Sequence, residues 1–152
     1  MPVLTMKAIQ RLPKTDPHVH LDGSLRLETI LDLARRDNIR IPADNPQDLA
    51  RAMHCVENTG SLVEYLKAFD ITLRVLQTED SLYRAAYELA VDAAAENVRY
   101  MEVRYSPLLH LNEGLVYDDI VGAVQEGLDL ARRQYGIVCG QIICGIRHIS
   151  AA

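Results

Sequence analysis

The sequence predicts an α/β fold built on a parallel sheet, and two observations carry this prediction. Three short runs rich in β-forming residues lie at residues 13–24, 98–106 and 137–146, and apolar residues at helical spacing fill the sequence between them. An alternation of strands and helices favours right-handed crossovers between parallel strands. At 152 residues, nearly half of them hydrophobic, the chain is long enough for a single domain, residues 1–152, with its own core.

The predicted elements follow in the order strand, helices, strand, helix, strand. Each helix is predicted from apolar residues three or four positions apart and from residues that are typical of helix ends. The predicted helices run from Leu27 to a stop at Asn38, through Met53, from Leu62 to Leu76, from Thr78 or Asp80 to Ala93, and from Asp118 to a stop at Gly136.

The middle and last strands differ in pattern. The last strand is apolar throughout, which predicts burial on both faces, with Cys139 and Cys144 as core fillers. The middle strand carries Glu102, Arg104 and Ser106 on one parity, and a buried polar face needs partners. An internal salt bridge or an edge strand would satisfy it. We favour a place in the wall of a polar cavity shared with His18 and His20, or directly behind that wall, because ligand sites in parallel α/β folds gather at the carboxyl ends of the strands.

Composition argues against several classes of partner. The net charge of −5 disfavours nucleic acid and anionic membrane surfaces, since both are bound through basic residues. No apolar run is long enough to span a membrane, and the first ten residues lack the apolar stretch of a signal peptide. Three cysteines in no disulfide pattern indicate reduced thiols, so we expect a cytoplasmic protein.

The first strand carries the clearest chemical signal. His18 and His20 are two residues apart, so their imidazoles project from the same face of a strand, and Asp16 and Asp22 share that parity. Imidazole nitrogens and carboxylate oxygens both ligate zinc. The pattern therefore fits a divalent metal site, and two surface histidines beside a turn remain the alternative at this point.

At these residues the chain resembles the adenosine deaminase family of metal-dependent amidohydrolases. Three segments carry the resemblance in order: residues 13–24 with the continuation 28–30, residues 100–107 (Tyr-Met-Glu-Val-Arg-Tyr-Ser-Pro) and residues 143–148 (Ile-Cys-Gly-Ile-Arg-His). The resemblance implies the N-terminal part of a (β/α)8 TIM barrel, with about three parallel strands and intervening helices. It also implies a zinc-dependent enzyme that hydrolytically deaminates adenosine or 2′-deoxyadenosine to inosine or 2′-deoxyinosine, with release of ammonia.

The resemblance assigns roles to particular residues. His18 and His20 match the two zinc-ligating histidines of the family's first strand, and His20 and Asp22 match substrate-binding positions. Related adenine and aminofutalosine deaminases carry glutamate where this chain has Asp22, so the aspartate favours a nucleoside. In the family, one helix lines the hydrophobic side of the pocket, and the resemblance matches Leu62, Leu66 and Phe69 to that helix. For these three residues we nevertheless prefer core packing as the interpretation.

A full barrel of this kind needs about 250 residues. The family's remaining zinc ligands and its catalytic acid lie beyond the matched segments, so we assign no catalytic residue here, and we expect His54 and His110 to be ordinary loop histidines. We expect the isolated chain to be inactive, and to self-associate or to pair with a C-terminal half. The alternatives are another aminopurine deaminase, a different metal hydrolase such as a phosphoesterase, or a non-catalytic interaction module made from part of a barrel.

Overall fold

The computed structural model describes residues 5–54 and 62–147, in which helices and strands alternate. The strands are β1 (Lys14–His20), β2 (Val98–Tyr105) and β3 (Val138–Ile143). The α-helices are α1 (Met6–Arg11), α2 (Leu27–Arg36), α3 (Pro46–His54), α4 (Leu62–Val75), α5 (Glu79–Ala95) and α6 (Tyr117–Tyr135). A single 3-10 turn (Pro107–His110) follows β2 directly.

The three strands form one parallel sheet in the order β1-β2-β3, which confirms the parallel α/β prediction. His20 of β1 lies opposite Arg104 of β2, and Arg104 in turn lies opposite Ile142 of β3. Since the three strands are parallel, their carboxyl ends lie at the same edge of the sheet. This edge carries the residues that the sequence marks as functional.

Helices α5 and α6 cover one face of the sheet. Met101, Val103 and Tyr105 of β2 are all at most 2% exposed and belong to a core cluster to which both helices contribute. The two helices approach each other closely at Gly127, where an added Cβ would lie 2.3 Å from the carbonyl oxygen of Tyr83. A side chain therefore fits at this crossing only if the backbone of one helix moves.

The predicted helix ends are confirmed where capping signals were present. The Thr78 hydroxyl accepts a hydrogen bond from the backbone N–H of Ser81 (3.2 Å), and the Ser81 hydroxyl accepts one from the backbone N–H of Thr78 (3.1 Å). Helix α6 ends at Gly136, whose φ of 71° lies in the left-handed region that glycine adopts without strain. Asn38, just after α2, also has a positive φ, 54°.

A second, smaller core holds the helices that follow β1. Its buried members come from α2, α3 and the end of α4: Ile30, Leu31, Leu33, Ala34, Leu49 and Val75. These helices form a hydrophobic unit beside the sheet, and the described end of α4 places Phe69 and Leu73 near the carboxyl end of β1. None of the helices in the described ranges is both long and apolar enough to cross a membrane.

The last strand is more exposed than its apolar sequence predicts. Val138 is 43% exposed and Ile143 is 52% exposed, because β3 is the edge of the described sheet and pairs there with β2 alone. The prediction that this strand is buried on both faces is therefore wrong for the described chain. Cys139 packs against the main core as expected, whereas Cys144 follows the strand and is half-buried.

Candidate metal and substrate site

β1 is irregular at Pro17 and His18. Asp16 lies opposite Met101 and Val19 opposite Val103, so three steps along β1 match two along β2, as in a β-bulge. Pro17 lies inside this irregularity, where its missing N–H breaks no regular ladder. The Asp16 carboxylate accepts a hydrogen bond from the backbone N–H of His18 (3.2 Å). Asp16 therefore stabilises the bulge locally. The regular alternation of side chains between the two faces of β1 does not extend back to Asp16.

His18 lies within the bulge and His20 follows it, and the two imidazole rings lie side by side. Their ring centroids are 5.5 Å apart and the ring planes are inclined by 35°. Both residues are exposed, and the His20 side chain retains 52% of its accessible surface. The turn that follows is fixed by the Ser24 hydroxyl, which donates to the His20 carbonyl at 2.5 Å. Two imidazoles are thus held together at the strand end with their nitrogens accessible to a ligand.

Asp22 lies behind these histidines and is far less accessible. It is 8% exposed, and its Oδ1 lies 3.8 Å from His20 Nδ1, which is too long for a direct hydrogen bond. Oδ1 accepts no hydrogen bond from the residues that the structure describes. A carboxylate next to a metal-ligating imidazole is a common means of fixing the ring's orientation.

A cavity of about 650 Å³ opens beside these residues, within the usual size range of small-molecule sites. His18, His20 and Asp22 line its polar side, and Phe69, Leu73 and Leu109 line its apolar side. Phe69 therefore lines the cavity, as the family resemblance implies for its helix, and our preferred interpretation of Phe69 as a core residue is wrong. The side chains of Leu62 and Leu66 lie outside the described residues.

The polar parity of β2 lies on the sheet face opposite to α5 and α6. Glu102 accepts a hydrogen bond from the Tyr100 hydroxyl (2.9 Å), and Arg104 Nη2 donates to the Pro17 carbonyl (3.0 Å). Within the described ranges Glu102 and Arg104 form no salt bridge with each other, and β2 is the central strand of the described sheet, so neither structural alternative holds. Glu102, Arg104 and Ser106 are not among the described residues that line the cavity, so the predicted cavity wall is not observed either. Arg104 instead supports the bulge that contains Pro17 and His18.

His110 is not the loop histidine that the sequence predicts. It is fully buried at the end of the 3-10 turn, and its Nδ1 lies 2.8 Å from the Leu76 carbonyl oxygen. Its ring centroid lies 6.2 Å from that of Tyr105. Burial lowers the pKa of His110, while the hydrogen bond to Leu76 and the charge of nearby Asp22 act in the opposite direction. The sequence prediction is wrong because the 3-10 turn brings His110 against the main chain of Leu76, which is distant in sequence. The side chain of His54 lies outside the described residues.

The donor set fits zinc in kind but supplies only part of its coordination. Imidazole nitrogens are ordinary zinc ligands, and a protein-bound zinc usually takes three or four protein ligands. No group of three or more histidine, cysteine or acidic side chains arranged to hold a metal occurs within residues 5–54 and 62–147. His18 and His20 can therefore contribute two ligands. His148, which closes the third resembling segment, lies outside the described residues.

Comparison with known proteins decides the family. The adenosine deaminase family model matches residues 13–152, nearly the whole chain. The chain belongs to the adenosine deaminase family. An adenosine deaminase from Clostridium botulinum (strain Loch Maree) is 46% identical over 136 residues, which are 90% of this chain and 40% of that protein. The chain thus spans about 40% of the length of the curated relatives it matches, and corresponds to their N-terminal part.

Solved structures of amidohydrolases share the fold. A Burkholderia ambifaria amidohydrolase with bound zinc superposes with a TM-score of 0.78 at 28% identity, covering 94% of this chain and 39% of that one. Adenine deaminase from Arthrobacter aurescens gives 0.75 at 26% identity, with 86% and 39% covered. Arabidopsis ADAL in complex with GMP gives 0.69 at 29% identity, with 91% and 42% covered. The three strands and their helices are the N-terminal part of an amidohydrolase TIM barrel, as predicted.

Proposed function

We propose that this chain forms the N-terminal part of a zinc-dependent purine nucleoside deaminase that hydrolyses adenosine or 2′-deoxyadenosine to the inosine product and ammonia. The observation that carries the proposal is the pair His18 and His20, whose ring centroids are 5.5 Å apart beside a cavity that Asp22 also lines. Membership of the adenosine deaminase family supports the reaction type. The zinc-bound amidohydrolase with the same fold supports the choice of metal.

In this proposal His18 and His20 hold the metal, and the remaining ligands come from outside the described residues. When bound, zinc supplies Lewis acidity that makes water a competent nucleophile near neutral pH. The protein's own contribution is orientation. The bulge, the Arg104–Pro17 hydrogen bond and the Ser24–His20 hydrogen bond fix where the two imidazoles lie before any ligand arrives.

Asp22 orients the substrate in the same proposal. Its carboxylate lies at the cavity beside His20 and opposite the apolar wall of Phe69, Leu73 and Leu109. A carboxylate accepts hydrogen bonds from sugar hydroxyls, and the apolar wall offers a surface for a purine ring. The aspartate favours a nucleoside over a free base. The matched proteins include an adenine deaminase and a GMP complex, so another aminopurine is the second candidate.

The test joins this chain to the rest of a relative. Residues 13–147 would replace the matching N-terminal part of the Clostridium botulinum adenosine deaminase, giving what we call the joined enzyme. We expect it to convert adenosine to inosine at an ordinary enzymatic rate, about 1 to 1,000 per second, with adenine and AMP as much poorer substrates. We expect the 152-residue chain alone, with zinc added, to show no comparable turnover.

One variant of the joined enzyme tests the proposed role of Asp22, and a second variant serves as its control. Asp22→Asn removes a charged acceptor and should raise KM for adenosine about tenfold to a hundredfold, because hydrogen bonds to charged groups contribute about 1.5–3 kcal/mol. Asp44→Asn makes the same chemical change at an exposed carboxylate between α2 and α3 and should leave KM unchanged. A joined enzyme that folds and binds zinc but prefers adenine or AMP would contradict the nucleoside assignment.

Localisation and assembly are part of the proposal as well. Cys139 and Cys144 are unpaired thiols in the described structure, which is compatible with a reducing cytoplasm. The exposed β3 edge, with Val138 and Ile143 at the surface, is where we place a further strand, either from a second copy or from a C-terminal half. Light scattering of the chain alone and of the joined enzyme separates these two arrangements.

A further inference from the structure

Behind the proposed substrate carboxylate lies a group of buried polar atoms that the proposed mechanism does not use. Asp22 Oδ1, Ser106 Oγ and His110 Nε2 are each buried and form no hydrogen bond with any described residue. The three residues are 8%, 6% and 0% exposed. Buried polar atoms are nearly always hydrogen-bonded, so three unpaired ones at one edge of the sheet call for an explanation.

The three residues lie at the same edge of the sheet, just beyond the carboxyl ends of β1 and β2. His20 lies opposite Arg104, and the backbone N–H of Leu21 donates to the Arg104 carbonyl, so continuing the register sets Asp22 beside Ser106. Ser106 is the N-terminal residue of the 3-10 turn that ends at His110. The negative charge of Asp22 acts on His110, and Leu109 lines the same cavity as Asp22.

The hydrogen bond of His110 to the main chain determines which ring nitrogen carries a proton. Nδ1 lies 2.8 Å from the Leu76 carbonyl oxygen, and a carbonyl can only accept, so Nδ1 carries the hydrogen. In the neutral ring Nε2 is then an acceptor. Asp22 Oδ1 is an acceptor too, and the one Ser106 hydroxyl can donate to only one of them. These three residues are therefore one donor short. Arg104 Nε is a fourth buried atom without a partner among the described residues, and Nη2 of the same guanidinium donates to the Pro17 carbonyl.

We propose that Asp22, Ser106 and His110 bind one buried water molecule, and that His110 acts through it as a positioning residue for the Asp22 carboxylate. The water donates one hydrogen to Asp22 Oδ1 and the other to His110 Nε2, and it accepts the Ser106 hydroxyl. All three unpaired atoms are satisfied, within the two to four polar partners that buried waters normally have. Asp22 is thereby fixed from behind while its other oxygen faces the cavity; this last role rests on the proposed function.

The arrangement is tested directly on the 152-residue chain by nitrogen-15 NMR of the histidine rings. We expect His110 to be in the neutral Nδ1–H form at pH 7, with an Nε2 resonance typical of a hydrogen-bonded acceptor. Ser106→Ala and Asp22→Asn should each shift that resonance, whereas Asp44→Asn at a remote exposed site should not. A protonated Nε2, or a resonance that neither substitution moves, would overturn the water site.

Two conservative variants of the joined enzyme separate positioning from simple packing. His110→Asn retains a donor near the Nδ1 position for the Leu76 carbonyl but loses the group at Nε2. His110→Gln places an amide near the Nε2 position and loses the contact with Leu76. If His110 positions Asp22, KM for adenosine rises about tenfold in His110→Asn with kcat nearly unchanged, and His110→Gln recovers most of that loss.

A purely structural role predicts the reverse order, with His110→Asn close to wild type and His110→Gln impaired, and that order would refute the positioning role. In an Asp22→Asn background, replacing His110 should change KM little further, because the carboxylate it positions is already gone. If the joined enzyme lacks deaminase activity altogether, the proposed function fails. The NMR result then still decides whether the water site exists.

Discussion

The two faces of the same three-stranded sheet differ in the side chains they carry: one face is apolar and the other is polar. On the face covered by α5 and α6, Met101, Val103 and Tyr105 are buried among apolar side chains. On the other face, His20, Glu102 and Arg104 present charged and polar groups, and Arg104 Nε is buried without a hydrogen-bond partner among the described residues. Helices α5 and α6 cover the apolar face, which we call the covered face, whereas the polar face, which we call the open face, has a buried donor without a partner among the described residues.

This difference separates stability from function along single strands. In β2, alternate residues serve the core and the polar face, so one strand contributes to both. Substitutions on the covered face should therefore change the free energy of unfolding and leave ligand binding intact, and substitutions on the open face should do the reverse. Four predictions test this separation, in decreasing order of expected effect.

The largest effect is expected from replacing His18 and His20 together with alanine. Without its two imidazoles the joined enzyme should lose activity by about a thousandfold or more, since the metal's contribution is removed with its ligands. Both residues are exposed, so the free energy of unfolding of the chain should change by no more than about 0.5 kcal/mol each. Adenosine turnover and urea unfolding measured on the same variant check both parts. A large loss of stability would break the separation.

Cys139 should be about a hundredfold slower to alkylate than an ordinary thiol. Burial on the covered side raises its pKa to about 11, so the thiolate that reacts is about a hundredfold scarcer at pH 8. The reaction should accelerate as the pH rises toward 11, since the raised pKa means that the charged form accumulates only there. Iodoacetamide labelling followed by peptide mass spectrometry measures the rate at each cysteine. Rapid labelling at pH 8 in the folded chain would show that the covered face opens readily.

Gly127→Ala should destabilise the chain by about 1–3 kcal/mol, because the new methyl group would press on the Tyr83 carbonyl where α5 and α6 cross. Urea unfolding gives this value. Gly122→Ala is the matched control: it lies in the same helix, and its added Cβ would meet no atom within 4 Å. It should be neutral or slightly stabilising, because alanine has the higher helix propensity. Equal losses in both variants would refute the close-approach explanation.

The smallest effect is expected at the start of α5. Thr78→Ala removes the side-chain acceptor for the Ser81 N–H and should cost about 1 kcal/mol of stability. Thr78→Ser keeps the hydroxyl and should retain most of that stability. Thermal unfolding of the two variants provides the comparison. Identical melting temperatures for Thr78→Ala and wild type would mean that the cap contributes nothing.

The sequence predicted the covered face well, because local signals are sufficient there. Thr78 caps the start of α5 and Gly136 caps the end of α6, both through interactions within a few residues. The apolar spacing of these two helices indicates which of their sides pack against the core. The His-x-His pair could also be identified, because a two-residue spacing places both rings on one side of a strand. Such features need no knowledge of the rest of the fold.

What the sequence did not predict depends on long-range placement. The apolar run of β3 predicts a buried strand, and its exposure reflects its position at the sheet edge. The burial of His110 depends on the 3-10 turn meeting the Leu76 carbonyl, 34 residues away along the chain. The bulge at Pro17 arises from pairing with β2. Helix α1 and the 3-10 turn were not predicted either, because both are too short to show a helical period in the sequence.

Zinc binding is the most direct test of the central claim that the open face supplies two ligands of a metal site completed from outside the described residues. Calorimetric titration should show one tightly bound zinc per joined enzyme and only weak binding to the 152-residue chain. Replacing His18 and His20 with alanine should abolish the tight site. Tight binding of one zinc by the chain alone, unchanged when both histidines are replaced, would contradict the account.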